Sequence, residues 1–303
     1  FRASIPNGGN DMLYKDKRPL IFFLVPALIV LGTFLYYPFV KNIINSFYEI
    51  NGLAALDGGK FAGLQNYKNM INDPFIRLAL KNNLLMMGFS VVFQVGIALI
   101  LALMVDSISR GAQFFRTVYF FPVVISATAI GLMFNLFYAY NGGLFNQILT
   151  RLGFDPVLWL SDKLGIYMVS LPVIWQYVGF YFVIILTGLN GIPEEIFEYA
   201  VLDGVTGIKK IWYISLPLIW DVIKVCMTLA ITGALKVFDL PWVLAPNGAP
   251  KGLTHFLGTY MYFKTFISQS AGYGAAISVF IVILGLIVSF TVNKLFKRDT
   301  IVY

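Results

Sequence analysis

Residues 166–189 read IYMVSLPVIWQYVGFYFVIILTGL and contain no aspartate, glutamate, lysine or arginine. A helix needs roughly 20 such apolar residues to cross the hydrocarbon core of a membrane. Lipid offers no partners to exposed backbone groups, which favours helices, and this run lacks the alternation of a membrane β-strand. Five further apolar runs lie at about 19–40, 83–105, 117–138, 217–245 and 273–295. The sequence therefore predicts an all-α, polytopic membrane protein with six transmembrane helices.

The composition of the whole chain agrees with a membrane protein. The 303 residues are 58% hydrophobic and 12% charged, with a mean hydropathy of +0.78, whereas a soluble domain carries about 25% charged residues. The single cysteine, Cys226, has no partner for an internal disulfide. The single histidine, His255, has no companion at metal-ligand spacing. The sequence thus predicts no metal site, no Cys–His nucleophile and no enzymatic activity.

The net charge of +7 is typical of a nucleic-acid-binding protein, but basic residues also flank membrane helices and set their orientation. Basic residues precede the first span, follow the last and occupy two connections, at Lys15, Lys17, Arg18, Arg110, Arg116, Lys209, Lys210, Lys294, Lys297 and Arg298. With six spans and both termini in the cytoplasm, all of these basic residues lie on the cytoplasmic side of the membrane. The pattern predicts a cytoplasmic lead 1–18, a transmembrane domain 19–295 and a cytoplasmic tail 296–303, with lipid as the surroundings and no nucleic-acid partner.

The connection 190–216 between the fourth and fifth predicted spans is part of the sequence GIPEEIFEYAVLDGVTGIKKIWYISLP, residues 191–217. Pro193 suits a first helical position, and the glutamates after it suit the positive end of the helix dipole. Gly204 can end that helix in the left-handed conformation. A second short helix is expected over about 206–213, and Pro217 opens the next span. By composition alone, an amphipathic connector on the membrane surface is the better explanation of this loop.

The spacing inside the loop is more specific than its composition. Six residues fit the pattern E-A-A-x3-G-x9-I-x-L-P, namely Glu198, Ala200, Gly204, Ile214, Leu216 and Pro217. The loop resembles the EAA loop of binding-protein-dependent ABC importer permeases. That resemblance implies a cytoplasmic coupling helix that docks into a cleft of an ATPase subunit, with Asp203 beside Gly204 in the same surface. Tyr199 is the one departure, because the family pattern has a second alanine there.

Five further stretches, in order along the chain, resemble the maltose-type sugar permeases. The first, Phe61–Tyr67 followed by Asp73-Pro74, lies in a predicted outer loop 41–82 that carries a short interfacial helix near 66–80. The others are Arg116-Thr117 with Phe121-Pro122, Gly143-Leu144-x-Asn146, Gly233–Asp239 and Tyr273-Gly274-x-Ala276. The resemblance implies uptake of oligosaccharides, disaccharides or relatives such as glycerol phosphates across a bacterial cytoplasmic membrane.

The resemblance also implies partner subunits. These are a second permease chain (a related one or a second copy), two ATPase subunits and an extracytoplasmic sugar-binding protein. The chain's nearest approach to a phosphate-binding loop, Gly58-Gly59-Lys60-Phe61, lacks the first glycine and the Ser or Thr of that motif. No cofactor is therefore expected in this chain, and ATP and magnesium are expected on the ATPase subunits.

Polar and aromatic residues inside the spans are candidates for the substrate path, since polar groups there are costly unless they face protein or water. Gln176, Tyr177 and Phe180 share one face of the fourth span. Aromatic rings and an amide suit the apolar faces and hydroxyls of sugars, although ordinary helix packing explains the same residues. Lys236 and Asp239 lie three residues apart in the fifth span and form either an intramembrane ion pair or a snorkelling group.

An ion-gradient-driven secondary transporter is the alternative function. Such proteins often contain inverted repeats and broken helices around a central site, and no clear repeat is present here. A membrane enzyme would need a cluster of His, Asp or Glu near the interface, which the sequence lacks. A purely structural membrane subunit leaves the spacing of the 190–216 loop unexplained.

Overall fold

The computed structural model describes residues 18–52, 59–108 and 111–295. The predicted lead, apart from Arg18, and the predicted tail 296–303 lie outside these residues. Sixteen helices are present in the described part of the chain: α1 Arg18–Leu31, α2 Tyr37–Asn45, α3 Gln65–Asn72, α4 Pro74–Phe89, α5 Gly96–Asp106, α6 Ala112–Val124, α7 Ala127–Tyr138, α8 Leu144–Arg151, α9 Gly165–Asn190, α10 Glu194–Leu202, α11 Ile208–Lys210, α12 Leu216–Leu218, α13 Trp220–Leu235, α14 Asp239–Leu244, α15 Leu257–Tyr262 and α16 Ala271–Leu295.

Short π-helical segments join several of these helices into longer rods. The π segments are Gly32–Tyr36, Ser90–Val95, Ile211–Ser215 and Phe263–Ile267, and a 3-10 turn covers Pro246–Gly248. Four unbroken helical stretches are long and apolar enough to span a membrane: Ile21–Asn45, Pro74–Asp106, Gly165–Asn190 and Ala271–Val292. Two bent helix pairs bring the number to six when each pair counts as one span. The predicted all-α, polytopic membrane fold is confirmed.

The predicted span 117–138 is not one straight helix. Helices α6 and α7 meet at an angle of 92°. Pro122 lies inside the last turn of α6 and cannot donate a backbone hydrogen bond. Ser126 then adopts an extended conformation, and its hydroxyl accepts a hydrogen bond from the Ala129 amide at 3.2 Å, which caps α7. This local cap stabilises a new helix direction within a continuous apolar run.

The predicted span 217–245 is also bent. The helical segment Ile208–Leu218 and the segment that begins at Trp220 meet at 69°. Ile219, at φ −91° and ψ 10°, separates them. The helix that enters the bundle therefore begins at Trp220, three residues after the proline that was predicted to open the span. A second interruption, at residues 236–238, separates α13 from α14.

The second span begins earlier than predicted. The interfacial helix α3 ends at Asn72, whereas the sequence predicted it near 66–80. Pro74 then begins a helical rod of 33 residues that runs through α4, the π segment Ser90–Val95 and α5 to Asp106. The Asp73 carboxylate accepts a hydrogen bond from the Phe75 amide at 2.9 Å and so caps α4. Proline at the first helical position completes this start signal.

Helix α9 lies at the centre of the bundle and packs against α5, α6, α13 and α14. Its fully buried Phe182 and Ile185 share a core with Ala102 of α5 and Cys226 of α13. The helical stretch Ile21–Asn45, in contrast, has no buried residue in its most apolar window. It joins the bundle near its end, where α2 packs on α16.

A small antiparallel hairpin marks one end of the bundle. Strands β1 Tyr48–Glu49 and β2 Lys60–Phe61 pair with Tyr48 opposite Phe61. Helix α3 and the connection from α14 to α16 lie at the same end, which we call the hairpin end. The opposite end carries the turn after α5 and the segment from α10 to α12, and we call it the α10 end.

At the hairpin end, Asp73 joins three helices. Its carboxylate accepts hydrogen bonds from the hydroxyls of Tyr260 at 2.6 Å and Tyr273 at 2.8 Å. Burial alone raises the pKa of Asp73. The two tyrosine hydroxyls, the Phe75 amide and the positive charge of Lys264 outweigh burial and hold the pKa below its ordinary value of 3.8. The ionised carboxylate therefore stabilises the contact of α4 with α15 and α16.

Replacement of Asp73 by asparagine should lower the stability of the fold by about 1–2 kcal/mol, since an amide oxygen cannot accept all three hydrogen bonds and the site is partly exposed. Because the folded pKa lies below the unfolded value, the contribution is present above about pH 4 and disappears as the pH falls through the folded pKa. Melting of detergent-solubilised protein should show a gap between wild type and variant at pH 7 that narrows as the pH falls below about 4. Asp155→Asn, at an exposed position of the same end, is the control. A gap that stays constant to pH 3 would refute this role.

Candidate translocation cavity and coupling loop

Helix α10 begins the segment that the EAA-type spacing marked. Glu194 and Glu195 lie in its first turn, where the positive end of the helix dipole stabilises their negative charges. Pro193 precedes the helix as the cap residue, at φ −57° and ψ 136°. The sequence predicted Pro193 as the first residue of the helix, whereas it is the residue just before the helix. An extended residue at this point turns the chain sharply from α9 into α10.

Gly204 ends α10 in the left-handed conformation that the sequence predicted, with φ +74°. The Gly204 amide donates to the Val201 carbonyl at 3.0 Å, and the Val205 amide donates to the Ala200 carbonyl at 2.8 Å. These two bonds close the last turn of the helix. No other heavy atom lies within 4 Å of a Cβ built at Gly204. The turn is therefore open on its outer side.

The two faces of α10 have different surroundings. Ala200 is buried, and Ile196 and Phe197 pack against the core that contains Val105. On the outer face, Tyr199 is 67% exposed and Leu202 is 83% exposed. Glu198 and Asp203 are exposed as well. The departure from the family pattern at Tyr199 thus lies on the outer face and leaves the packing of α10 on the bundle intact.

The second helical segment of the loop is longer than predicted. It runs from Ile208 through a π segment to Leu218, whereas the sequence predicted about 206–213. Ile208, Trp212 and Tyr213 are all about two-thirds exposed or more. Ile214 and Leu216, which belong to the spacing pattern, are partly buried against the bundle. Together with α10, this segment presents an exposed apolar surface at the α10 end.

A cavity of about 320 Å³ lies between α9, α13, α14 and the π segment Ser90–Val95. All five residues that were predicted for a substrate path line it: Gln176, Tyr177, Phe180, Lys236 and Asp239. Its volume falls at the small end of the range for ligand pockets. The structure thus brings together residues from two spans that lie 60 positions apart.

Gln176 and Tyr177 contribute to the cavity in different ways. Gln176 is 6% exposed, and its amide nitrogen donates to the Ile125 carbonyl at 3.2 Å, beside the bend between α6 and α7. Its amide oxygen remains available to accept. Tyr177 is 42% exposed, Phe180 is partly buried with its ring packed edge-to-face against Tyr181, and both side chains line the cavity. The side chains offer an acceptor and two aromatic surfaces.

Lys236 and Asp239 do not form the ion pair that was one interpretation of their spacing. The helix is interrupted at residues 236–238, so the two side chains are not on adjacent turns of one helix. Both are exposed to the cavity, and neither makes an ion pair with any residue that the structure describes. Lys236 also borders a second cleft of about 380 Å³ between α13 and α16. Both charges are free to meet a ligand or another chain.

Two further polar residues line the cavity that the sequence reasoning did not select. Ser90 and Gln94 belong to the π segment and are almost completely buried. The Gln94 amide donates to the Val173 carbonyl at 3.1 Å. The sequence signal that could have identified them is a pair of polar residues four positions apart within an apolar run. A π segment widens the helix locally, and such segments are frequent at functional sites.

Similarity to known proteins shows the family to which this chain belongs. Residues 94–302 match the family described as "binding-protein-dependent transport system inner membrane component". The chain belongs to this family, and the resemblance that the loop spacing indicated is confirmed. It is a transport component rather than an enzyme.

Relatives in the family are similar over almost their whole length. A probable ABC transporter permease, YurN of Bacillus subtilis, is 35% identical over 94% of this chain and 98% of its own length. The arabinooligosaccharide transport permease AraP of Bacillus subtilis is 30% identical over 97% and 93%. The crystal structure of a bacterial ABC transporter that imports the acidic polysaccharide alginate contains a chain with the same fold, with a TM-score of 0.83, 23% identity, and coverage of 96% and 100%.

Proposed function

We propose that this chain is a membrane-spanning subunit of an importer that moves a sugar or oligosaccharide, delivered by an external binding protein. The observation that carries the proposal is the 320 Å³ cavity, into which an amide, two aromatic rings and two unpaired charges converge beside an interrupted helix. Relatives named for the transport of arabinooligosaccharides, diacetylchitobiose and lactose support a carbohydrate.

The cavity suits a sugar chemically. A sugar hydroxyl both donates and accepts hydrogen bonds, so the Asp239 carboxylate and the Gln176 oxygen can accept while the Lys236 ammonium donates. The rings of Tyr177 and Phe180 can cover an apolar ring face. Because neither charge has a protein partner in the described chain, the sugar would replace water around them as it passes.

ATP hydrolysis is assigned to separate subunits, with ATP and magnesium bound there. The outer face of α10, with Glu198, Tyr199 and Leu202 exposed, and the open turn at Gly204 form the surface on which an ATPase would dock. With the ATPase docked there, the α10 end would face the cytoplasm and the hairpin end would lie outside a bacterial cytoplasmic membrane. A second permease chain, two ATPase subunits and the binding protein complete the assembly.

An uptake panel tests the substrate class. Cells that express the complete importer should accumulate at least one of labelled lactose, arabinooligosaccharides and diacetylchitobiose. Tyr177→Ala should weaken the apparent affinity for that sugar by about 2- to 12-fold, which corresponds to an aromatic contact of about 0.5–1.5 kcal/mol, and Gln176→Ala should shift the preference within the panel.

Tyr167→Ala is the matched control for this panel, because Tyr167 is an equally exposed tyrosine of α9 that faces an apolar groove outside the cavity. It should leave uptake unchanged. Equal behaviour of Tyr177→Ala and Tyr167→Ala would remove Tyr177 from the path, and uptake of none of the sugars would contradict a substrate of this class.

A further inference from the structure

A buried asparagine of α4 forms hydrogen bonds to the ends of two other helices. Asn83 is completely buried, and α4 packs against both α13 and α15. The Asn83 amide nitrogen donates to the Ala234 carbonyl, in the last turn of α13, at 2.7 Å. Its amide oxygen accepts from the backbone amide of Leu257, the first residue of α15, at 2.8 Å. One side chain therefore joins the end of α13 to the start of α15.

Both backbone groups need a partner from outside their own helix. The first amides and the last carbonyls of a helix have no partner within it. Helix α13 ends at Leu235, and Phe238, at φ −145° and ψ −63°, is far from helical backbone angles. A buried carbonyl or amide left unpaired there would carry its full desolvation cost. The Asn83 amide thus stabilises the interruption between α13 and α14 and the new helix start at α15.

The segment just after α13 forms the charged part of the cavity wall. Residues 236–240 all line the cavity, and Lys236 and Asp239 bring two charges to it. The start of α15 packs on the same segment, because a Cβ built at Gly258 would lie 2.9 Å from the Val237 carbonyl oxygen. The two hydrogen bonds of Asn83 therefore hold this segment from both sides.

We infer that Asn83 is a positioning residue for the sugar, because it fixes where the Lys236 ammonium and the Asp239 carboxylate lie in the cavity. The inference rests on the proposed function, since it takes the cavity to be the path of the sugar. It adds a residue that is absent from the cavity wall and acts on the ligand through the backbone of other residues. Side chains that bind a ligand need such support to keep their geometry.

A buried asparagine that only satisfies its own hydrogen bonds is the simpler explanation, and the neighbouring residue shows the difference. Asn82 is buried as well, and its amide donates to the Leu253 and His255 carbonyls at 2.9 Å and 2.8 Å. These two acceptors precede α15 and are not among the described residues that line the cavity. Asn83, in contrast, bonds to α13 beside the cavity charges. Asn82→Leu is therefore the matched control for Asn83→Leu.

The test measures how uptake depends on sugar concentration. Proteoliposomes contain the complete importer and enclosed ATP, with the same excess of binding protein for every variant and the panel sugar that wild type takes up. Asn83→Leu removes both hydrogen bonds at nearly constant side-chain size. It should raise the sugar concentration for half-maximal uptake by about tenfold, the effect of losing one hydrogen bond to a charged group, and change the maximum rate by less than about twofold. Asn82→Leu should lower the melting temperature as much and leave the half-maximal concentration unchanged.

A double-mutant cycle tests whether Asn83 acts through the charged segment. Asn83→Leu is combined in turn with Lys236→Ala and with Tyr177→Ala. The combined loss with Lys236→Ala should be smaller than the product of the two single losses, because both changes affect the same interaction. Tyr177 belongs to α9, so its loss and that of Asn83→Leu should simply multiply. Independent effects in both double variants would overturn the inference.

Gly258→Ala displaces the same segment without a change at Asn83, because the added Cβ would press on the Val237 carbonyl. It should also raise the half-maximal concentration, and it decides the question if Asn83→Leu does not assemble. Gly88→Ala, where no other heavy atom lies within 4 Å of the added Cβ, should not raise it.

Half-maximal concentrations as low as that of Asn82→Leu, in Asn83→Leu and Gly258→Ala alike, would refute the positioning role. Such a failure would leave uptake by the wild type intact. Absence of wild-type uptake of every panel sugar would instead refute the proposed function.

Discussion

Replacement of Gly204 by leucine should abolish ATP-driven transport, with at least about a tenfold loss of uptake. Gly204 has a φ of +74° at the open end of α10. An L-residue in this conformation is strained by about 1–2 kcal/mol. The leucine side chain would also project into the open space on the outer side of the turn, where we place the ATPase. The backbone strain and the added side-chain volume both affect the surface on which the ATPase would dock. Either docking of the ATPase or coupling of ATP hydrolysis to transport should therefore fail. Uptake of the panel sugar and co-purification of the ATPase measure the two outcomes.

Gly153 provides the matched control for Gly204. It ends α8 at the hairpin end with φ +84°, and no other heavy atom lies within 4 Å of a Cβ built there. Its amide and that of Phe154 close the helix with the same two-bond pattern. Gly153→Leu should therefore carry the same strain without loss of ATPase association. Gly204→Ala, which has strain but little bulk, should fall between. Unchanged uptake and ATPase association in Gly204→Leu would count decisively against a coupling role for this loop.

Replacement of Gly179 by valine should prevent α9 from packing against α6. A Cβ built at Gly179 would lie 2.0 Å from the Tyr119 carbonyl oxygen, which belongs to the backbone of α6. Overpacking typically costs about 1–3 kcal/mol, and a clash with backbone atoms cannot be relieved by a rotamer change. Because Phe180 is the next residue, the cavity wall would shift as well. We expect a large fall in the yield of monodisperse protein and in its melting temperature in detergent.

Gly88→Val is the control for this substitution. Gly88 lies within α4, and no other heavy atom lies within 4 Å of a Cβ built there. The valine at this position should leave yield and melting close to wild type. Equal behaviour of the two variants would mean that α6 and α9 are not in the close contact that the structure shows.

The sequence predicted the spans because hydropathy over about 20 residues is a long, redundant signal. The two bends depend on single residues, which hydropathy averaged over a span does not detect. Pro122 and the Ser126 cap turn one apolar run into two helices, and Ile219 separates two others. The start of the second rod at Pro74 was a local signal too, since Asp73 and Pro74 are an ordinary helix start that a hydropathy window passes over.

The candidate site residues likewise divide into those that the sequence predicted and those that depend on local structure. Helical spacing was enough to group Gln176, Tyr177 and Phe180, because α9 is unbroken through that region. An ion pair was one of two interpretations of Lys236 and Asp239, and it assumed a continuous helix across residues 236–238, where the helix is interrupted. Ser90 and Gln94 could have been selected as two polar residues four positions apart in an apolar run, but the π segment that contains them could not be predicted. The end of α10 at Gly204 was predictable, since a glycine at that point has a specific conformational use.

We propose that ATP hydrolysis on partner subunits drives a sugar through this chain. The direct measurement is uptake of the panel sugar into proteoliposomes that contain the complete importer and its binding protein, with ATP enclosed or omitted and with ion gradients imposed or collapsed. Uptake that requires enclosed ATP and persists after the gradients are collapsed is the predicted result. Uptake that continues undiminished without ATP, as long as an ion gradient is present, would contradict it and favour a secondary transporter.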